Sequence, residues 1–156
     1  MSKKLVILLV IAVTGMFFAG GIYAKVADVI NLQEKSCPPS SKPVVEFNHK
    51  AHSDEYIKKY AKAFPNGCGQ CHHDAQHKPI AGLTADSKVQ HCIECHKKCG
   101  EAPKGKDAPK LDKAGKLQYL AEAYHDDCRT CHRDFNKEFN PAKKAPITCN
   151  DCHRKS

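Results

Sequence analysis

Hydrophobic residues are concentrated at the start of this chain. Lys3-Lys4 lead into an apolar stretch from Leu5 to Ala24, and nothing comparable recurs in the 156 residues. The basic end, the apolar core and a small residue at Ala24 ahead of Lys25 fit a secretory signal cleaved after Ala24. A stretch of about twenty residues is also long enough to span a bilayer, so an uncleaved membrane anchor through residues 5–24 is the other reading. Residues 25–43, ending in Cys37-Pro38-Pro39-Ser40-Ser41-Lys42-Pro43, show no periodicity and carry helix-breaking prolines, which predicts a linker. Val44-Val45-Glu46-Phe47 reads as a short strand. Ser53-Asp54-Glu55 is a helix-start signal, followed by Tyr56, Ile57, Tyr60, Ala61 and Phe64 as an apolar face, with Pro65-Asn66-Gly67 as the stop. The Lys-, Gly- and Pro-rich residues 97–116 read as a solvated loop. A second helix is predicted from Asp112, with Leu117, Leu120, Ala121 and Tyr124 at buried-stripe spacing. His125 extends that stripe.

Two helical stripes and one short strand of this size cannot make an ordinary core. Beyond residue 24 there are 132 residues, and they contain four copies of Cys-x-x-Cys-His: Cys68-Gly-Gln-Cys71-His72, Cys92-Ile-Glu-Cys95-His96, Cys128-Arg-Thr-Cys131-His132 and Cys149-Asn-Asp-Cys152-His153. With ten Cys and ten His in the chain, independent placement yields roughly 0.04 such motifs. The motif is the signature of c-type haem attachment: two thiols about one turn apart bond the two vinyl edges of one porphyrin, and the following His becomes the proximal iron ligand. Paired Cys-x-x-Cys units also occur in zinc ribbons and disulfide frameworks, but neither calls for His after every second Cys. Four haem c groups would then supply the missing apolar volume, at 33 residues each. The fold class predicted is mainly α with much irregular loop and minimal strand, a small multihaem cytochrome wrapped around four haems over residues 44–156.

His72, His96, His132 and His153 are the proximal candidates. His49, His52, His73, His77, His91 and His125 remain for four distal positions. Both methionines, Met1 and Met16, lie in the N-terminal segment, so bis-His ligation and low potentials are expected rather than His/Met ligation. His49 and His52 are three apart, which lets each reach a different iron from one helical face. His72 and His73 are adjacent and diverge, so the pair would serve two irons and bring them close together. His77 and His91 read as surface residues. Cys37 and Cys99 have no haem role, and in an oxidising compartment they are expected to pair.

The ordered motifs Pro43-Val44-Val45-Glu46-Phe47-Asn48-His49-Lys50-Ala51-His52, Cys68-x-x-Cys71-His72-His73 and Tyr124-His125-Asp126 ahead of Cys128 resemble the tetrahaem class III c-type cytochromes, the cytochrome c3 family, over roughly residues 43–156. The resemblance implies His49 as distal ligand of the first haem, His73 of the second, His52 of the third and His125 of the fourth. In the family the second and fourth sites commonly have four residues between cysteines; all four here have two.

Covalent haem attachment places the domain outside the cytoplasm, in the periplasm, either soluble after cleavage or anchored to the outer side of the inner membrane. Nucleic acid is excluded as a partner there. The chain carries a net charge of +8, with Lys97, Lys98, Lys104, Lys106, Lys110, Lys113 and Lys116 in one segment and Lys143, Lys144, Arg154 and Lys155 near the last motif. This is either a solvated surface or a docking face for an acidic redox protein. The expected role is a non-enzymatic, low-potential electron carrier working between a dehydrogenase and a membrane redox complex. The family resemblance adds hydrogenase and anaerobic respiration. A multihaem reductase and the subunit of an extracellular cytochrome filament are the rivals.

Overall fold

The computed structural model describes residues 26–154, so the expected signal or anchor lies outside the described residues. The fold is mainly helical with long loops and a single two-stranded antiparallel sheet. Strand β1 (Val29–Asn31) pairs with β2 (Glu46–Asn48), with Ile30 opposite Phe47. The strand predicted over 44–47 therefore starts two residues later and ends one residue later than expected. Its partner comes from the stretch expected to be a linker, where Ile30 meets Phe47 on the less exposed face while their neighbours face solvent. The segment is held further by the disulfide between Cys37 and Cys99, 62 residues apart, as expected from the two leftover thiols.

The first helical segment begins earlier than Ser53. Asn48 Oδ1 accepts from the Ala51 amide at 2.9 Å and so caps the segment, while Ser53 Oγ turns back to Lys50 O and Asp54 instead. A π-helical segment, Ala51–Tyr56, then passes into α1 (Ile57–Lys59) and a 3-10 turn, Ala61–Ala63. Further along are α2 (Cys92–Cys95), α3 (Lys113–Leu117), α4 (Leu120–Tyr124), α5 (Thr130–Phe139) and α6 (Cys149–Cys152). The helix predicted from Asp112 starts there, with Asp112 as its cap, Oδ1 accepting from Gly115 N at 2.7 Å.

The helix predicted from Asp112 through His125 is interrupted at Tyr119, whose backbone is extended. There Lys98 inserts as a β-bridge, donating to Gln118 O at 2.9 Å and accepting from Leu120 N at 2.8 Å. The pull of those two bonds explains the break, because both ends of the interrupted segment are satisfied by a strand-like neighbour. Beyond the break, α4, a π-helical segment His125–Arg129 and α5 run on as one continuous rod, so the third attachment motif sits inside a helix. Asn140 ends the rod in the left-handed conformation.

Among the described residues only Ala51, Ala102 and Leu120 are buried apolar side chains. A second apolar contact lies off this centre. Phe135 and Phe139, one helical turn apart on α5, stack at 5.1 Å and clamp the Tyr60 ring at 4.8 and 5.4 Å. Most α-helices here are three to five residues long, well below the length at which isolated helices hold in water. Tertiary ties must hold them. We expect replacing Cys37 and Cys99 together by Ser to lower the unfolding free energy by about 2–4 kcal/mol, from the long loop the disulfide closes. Denaturant titration reads this as a lower midpoint; an unchanged midpoint would mean that β1 and its neighbours are held without it.

Candidate haem-binding sites

Each attachment motif occupies a single turn. The His72 amide donates to Cys68 O at 3.1 Å, His96 to Cys92 O at 2.8 Å and His153 to Cys149 O at 2.7 Å. This geometry sets the two thiols and the imidazole of a motif around one turn of backbone. The turns start from local caps. His91 N donates to Glu94 Oε1 at 3.1 Å at the head of α2, and Thr148 and Asp151 bond one another reciprocally at the head of α6. In the first motif Gly69 has no side chain for a close reason: a Cβ there would stand 2.6 Å from Ile80 O. None of the eight motif cysteines takes part in a disulfide.

The four motif histidines each face a second histidine. His72 lies 6.4 Å from His49 between ring centroids, His96 lies 6.0 Å from His73, His132 lies 6.2 Å from His52, and His153 lies 6.5 Å from His125. These are the pairs implied by the sequence resemblance, drawn together from segments 23 to 80 residues apart. They also fit the expected group. A single metal ion bound between the two rings of a pair, at metal–nitrogen distances of about 2 Å, would fit these separations. Each pair would supply two nitrogens to a haem iron whose other positions the macrocycle fills, whereas a structural zinc requires four protein ligands. Among the described residues no group of three or more His, Cys, Asp or Glu side chains is arranged to hold a metal ion by itself.

Protonation is set to match. His52 Nδ1–H donates to Asn48 O at 2.8 Å, His73 to Asp74 O at 2.8 Å, His132 to Pro146 O at 2.7 Å and His153 to Pro43 O at 2.7 Å, while His96 bonds Leu117 O. A carbonyl can only accept, so Nδ1 carries the proton in all five and Nε2 keeps its lone pair for a metal. Burial pushes His52, His72 and His125 below the ordinary imidazole range, which again favours the neutral, ligating form. Burial likewise pushes the Cys128 thiol up to about 12 and raises Cys71, Cys92 and Cys131, with Asp127 adding to each. Asp127 retains solvent access, yet the surrounding chain raises its carboxyl to about 6. At these four thiols the shift favours the neutral form over a ready metal thiolate.

Two π-helical segments carry distal candidates, His52 in the first and His125 in the second. Such segments widen the helix locally and recur at functional sites. His91 is exposed and serves the cap of α2 through its backbone, in keeping with a surface residue. His77, expected to be a surface residue too, is exposed but its ring stacks on His73 at 4.7 Å.

A family model, that of the class III cytochrome c family, matches residues 25–153 of the chain. No curated protein and no solved structure matches it.

Changing His125 to Ala should open the sixth position on the iron held by His153 and produce one high-spin haem, whereas His91→Ala should leave the spectrum low-spin. Electron paramagnetic resonance of the oxidised variants separates the two. A high-spin haem from His91→Ala but not from His125→Ala would overturn the pairing.

Proposed function

From the membership of this chain in the class III cytochrome c family, which makes it a multihaem electron-transfer protein binding c-type haem, we propose a periplasmic carrier of four haems that works at low potential. The observation that carries the reading is the set of four facing histidine pairs, each with one member in an attachment motif. The thiols proposed to hold the haems are Cys68 and Cys71, Cys92 and Cys95, Cys128 and Cys131, and Cys149 and Cys152. When bound, haem supplies a one-electron iron couple whose potential its axial ligands tune, and imidazole on both faces draws it lower than imidazole with methionine.

The chain's part is to hold the eight imidazoles and to keep the sites adjacent. His72 and His73 are neighbours, so one turn joins the first and second sites. His49 and His52 join the first and third from one helical segment, and the rod from Leu120 to Phe139 carries both His125 and His132, joining the fourth to the third. This arrangement supports an order of second, first, third, fourth for electron passage through shared backbone. It also supports a carrier in preference to a reductase, because every motif histidine is already faced by a second ligand and no position is left open for substrate.

Partners are proposed from charge. The seven lysines between Lys97 and Lys116 are all exposed. Lys104 pairs with Glu101 at 2.5 Å, Lys113 with Asp126 at 3.0 Å, and Lys98 lies 5.0 Å above the Tyr119 ring. The remaining positive field suits an acidic dehydrogenase or hydrogenase on one side and a membrane redox complex on the other, in anaerobic respiration. An export signal or anchor in residues 1–24 is consistent with that location. Among the described residues no helix is long and apolar enough to cross a membrane.

Intact mass and paramagnetic resonance with a redox titration test the assignment together. Four haems per chain, all six-coordinate and low-spin when oxidised, are the expected result; three haems, or a full high-spin haem in the unaltered protein, would sink it. Docking is tested separately. Exposed charges are screened over about 8 Å at physiological ionic strength, so salt should slow electron transfer to an acidic partner far more than it moves the haem potentials. Reversing Lys106, Lys110 and Lys116 to Glu should lower the second-order rate at low salt and flatten its salt dependence. Stopped-flow kinetics would show an unchanged rate if this surface is only solvated.

A further inference from the structure

Outside the four facing pairs, His77 is the histidine whose ring reaches one of them. It lies nearly parallel to His73, 4.7 Å away, and stands 6.4 Å from His96. His73 itself stands 6.0 Å from His96. Against the other three pairs, at 6.2 to 6.5 Å, both distances belong to the same class. The second attachment motif is therefore faced by two imidazoles where each of the others is faced by one.

The position of His77 is built by its turn. Asp74 Oδ1 accepts from the amides of Gln76 and Lys78 at 2.8 and 2.9 Å, and the Asp74 backbone bonds both His77 N and Lys78 O. The bridge from His73 to Pro79 closes the same loop. Within it His77 adopts a φ of +59°, the left-handed region that a residue with a side chain enters only when its surroundings hold it there. That conformation folds the chain back so that the His77 ring returns over His73. The anchor on His73 is local, a bond from Nδ1 to the carbonyl of the very next residue on an exposed loop. By contrast, His96, His132 and His153 are tied to chain 14 to 110 residues away.

We propose that His73 and His77 are alternative distal ligands of the second haem, His77 standing in reserve beside His73. The inference rests on the haem reading above. In the exchange one Nε2–iron bond breaks as the other forms, both imidazoles remain neutral at Nε2, and no electron is transferred. The consequence is a second site that keeps two axial imidazoles even though its distal histidine is solvent-exposed, and so stays closed to small external ligands.

The test compares haem-loaded wild type, His73→Ala, His77→Ala and the double variant by intact mass and by quantified paramagnetic resonance of the oxidised proteins. Wild type with four low-spin haems checks the underlying reading; if that fails, the haem assignment falls and not merely this inference. Given that check, His73→Ala should keep four low-spin haems with a changed g-set for one of them, and His77→Ala should remain low-spin through His73. The double variant should turn about one quarter of the iron high-spin. A high-spin haem in His73→Ala equal to that of the double variant overturns the proposal, as does a double variant that stays wholly low-spin. Should His73→Ala lose a haem, His73→Gln, which keeps a polar side chain of similar reach on the exposed loop, repeats the comparison, and loss of the haem from both while His77→Ala retains it also counts against the proposal.

Discussion

Orientation of imidazole rings by backbone carbonyls is the interaction on which the rest of this structure depends. A free histidine side chain can present either nitrogen in many directions. In His96, His132 and His153 the Nδ1–H is committed to a carbonyl far along the chain, on Leu117, Pro146 and Pro43. Each bond contributes only about 1 kcal/mol to stability. Its larger effect is to settle tautomer and ring orientation together, so that Nε2 of each ring keeps its lone pair. The same bonds are tertiary ties. They join the last motif to the N-terminal segment, the second to the end of α3, and the third to the loop that follows the long rod.

That double use follows from how little apolar surface the polypeptide buries by itself. Three small buried apolar residues and one aromatic clamp do not hold 129 described residues together. The remaining order comes from caps, from the Lys98 bridge at Tyr119, from the Cys37–Cys99 disulfide and from the hydrogen bonds of Asn136 to Ala145 and Arg129 to Ile147 that pin the loop before α6. Polar ties of this kind specify geometry without contributing a large free energy. A large planar apolar group bound at each pair would therefore add what the chain lacks, and binding and folding would be coupled.

Spacing on the chain also decides how the sites communicate. Under the proposed ligation, adjacent or nearly adjacent histidines, His72 with His73 and His49 with His52, would serve two neighbouring irons and not one. Closeness between sites thus arises from short covalent separation and needs no extended scaffold. The cost is exposure. Histidines carried on short turns, His73 above all, stand at the surface.

Local chemistry determined much of this protein before any tertiary structure. The four motifs, the absence of methionine after residue 16, the helix start at Asp112 and the pairing of two leftover cysteines were all legible, because each depends on residues a few positions apart or on simple counting. The predicted helix beyond Asp112 was legible as a stripe, but its break at Tyr119 was not, since the cause is Lys98, twenty-one residues earlier. The strand partner within residues 25–43 was hidden for the same reason: three residues of Val29–Asn31 carry no signal until Glu46–Asn48 lies beside them. Which histidine faces which was suggested by resemblance, and only the folded chain brings His125 to His153 and His52 to His132. The ring of His77 against His73 lay beyond the sequence reading altogether, because a left-handed backbone at one non-glycine residue is a decision of the surrounding turn and not of the residue itself.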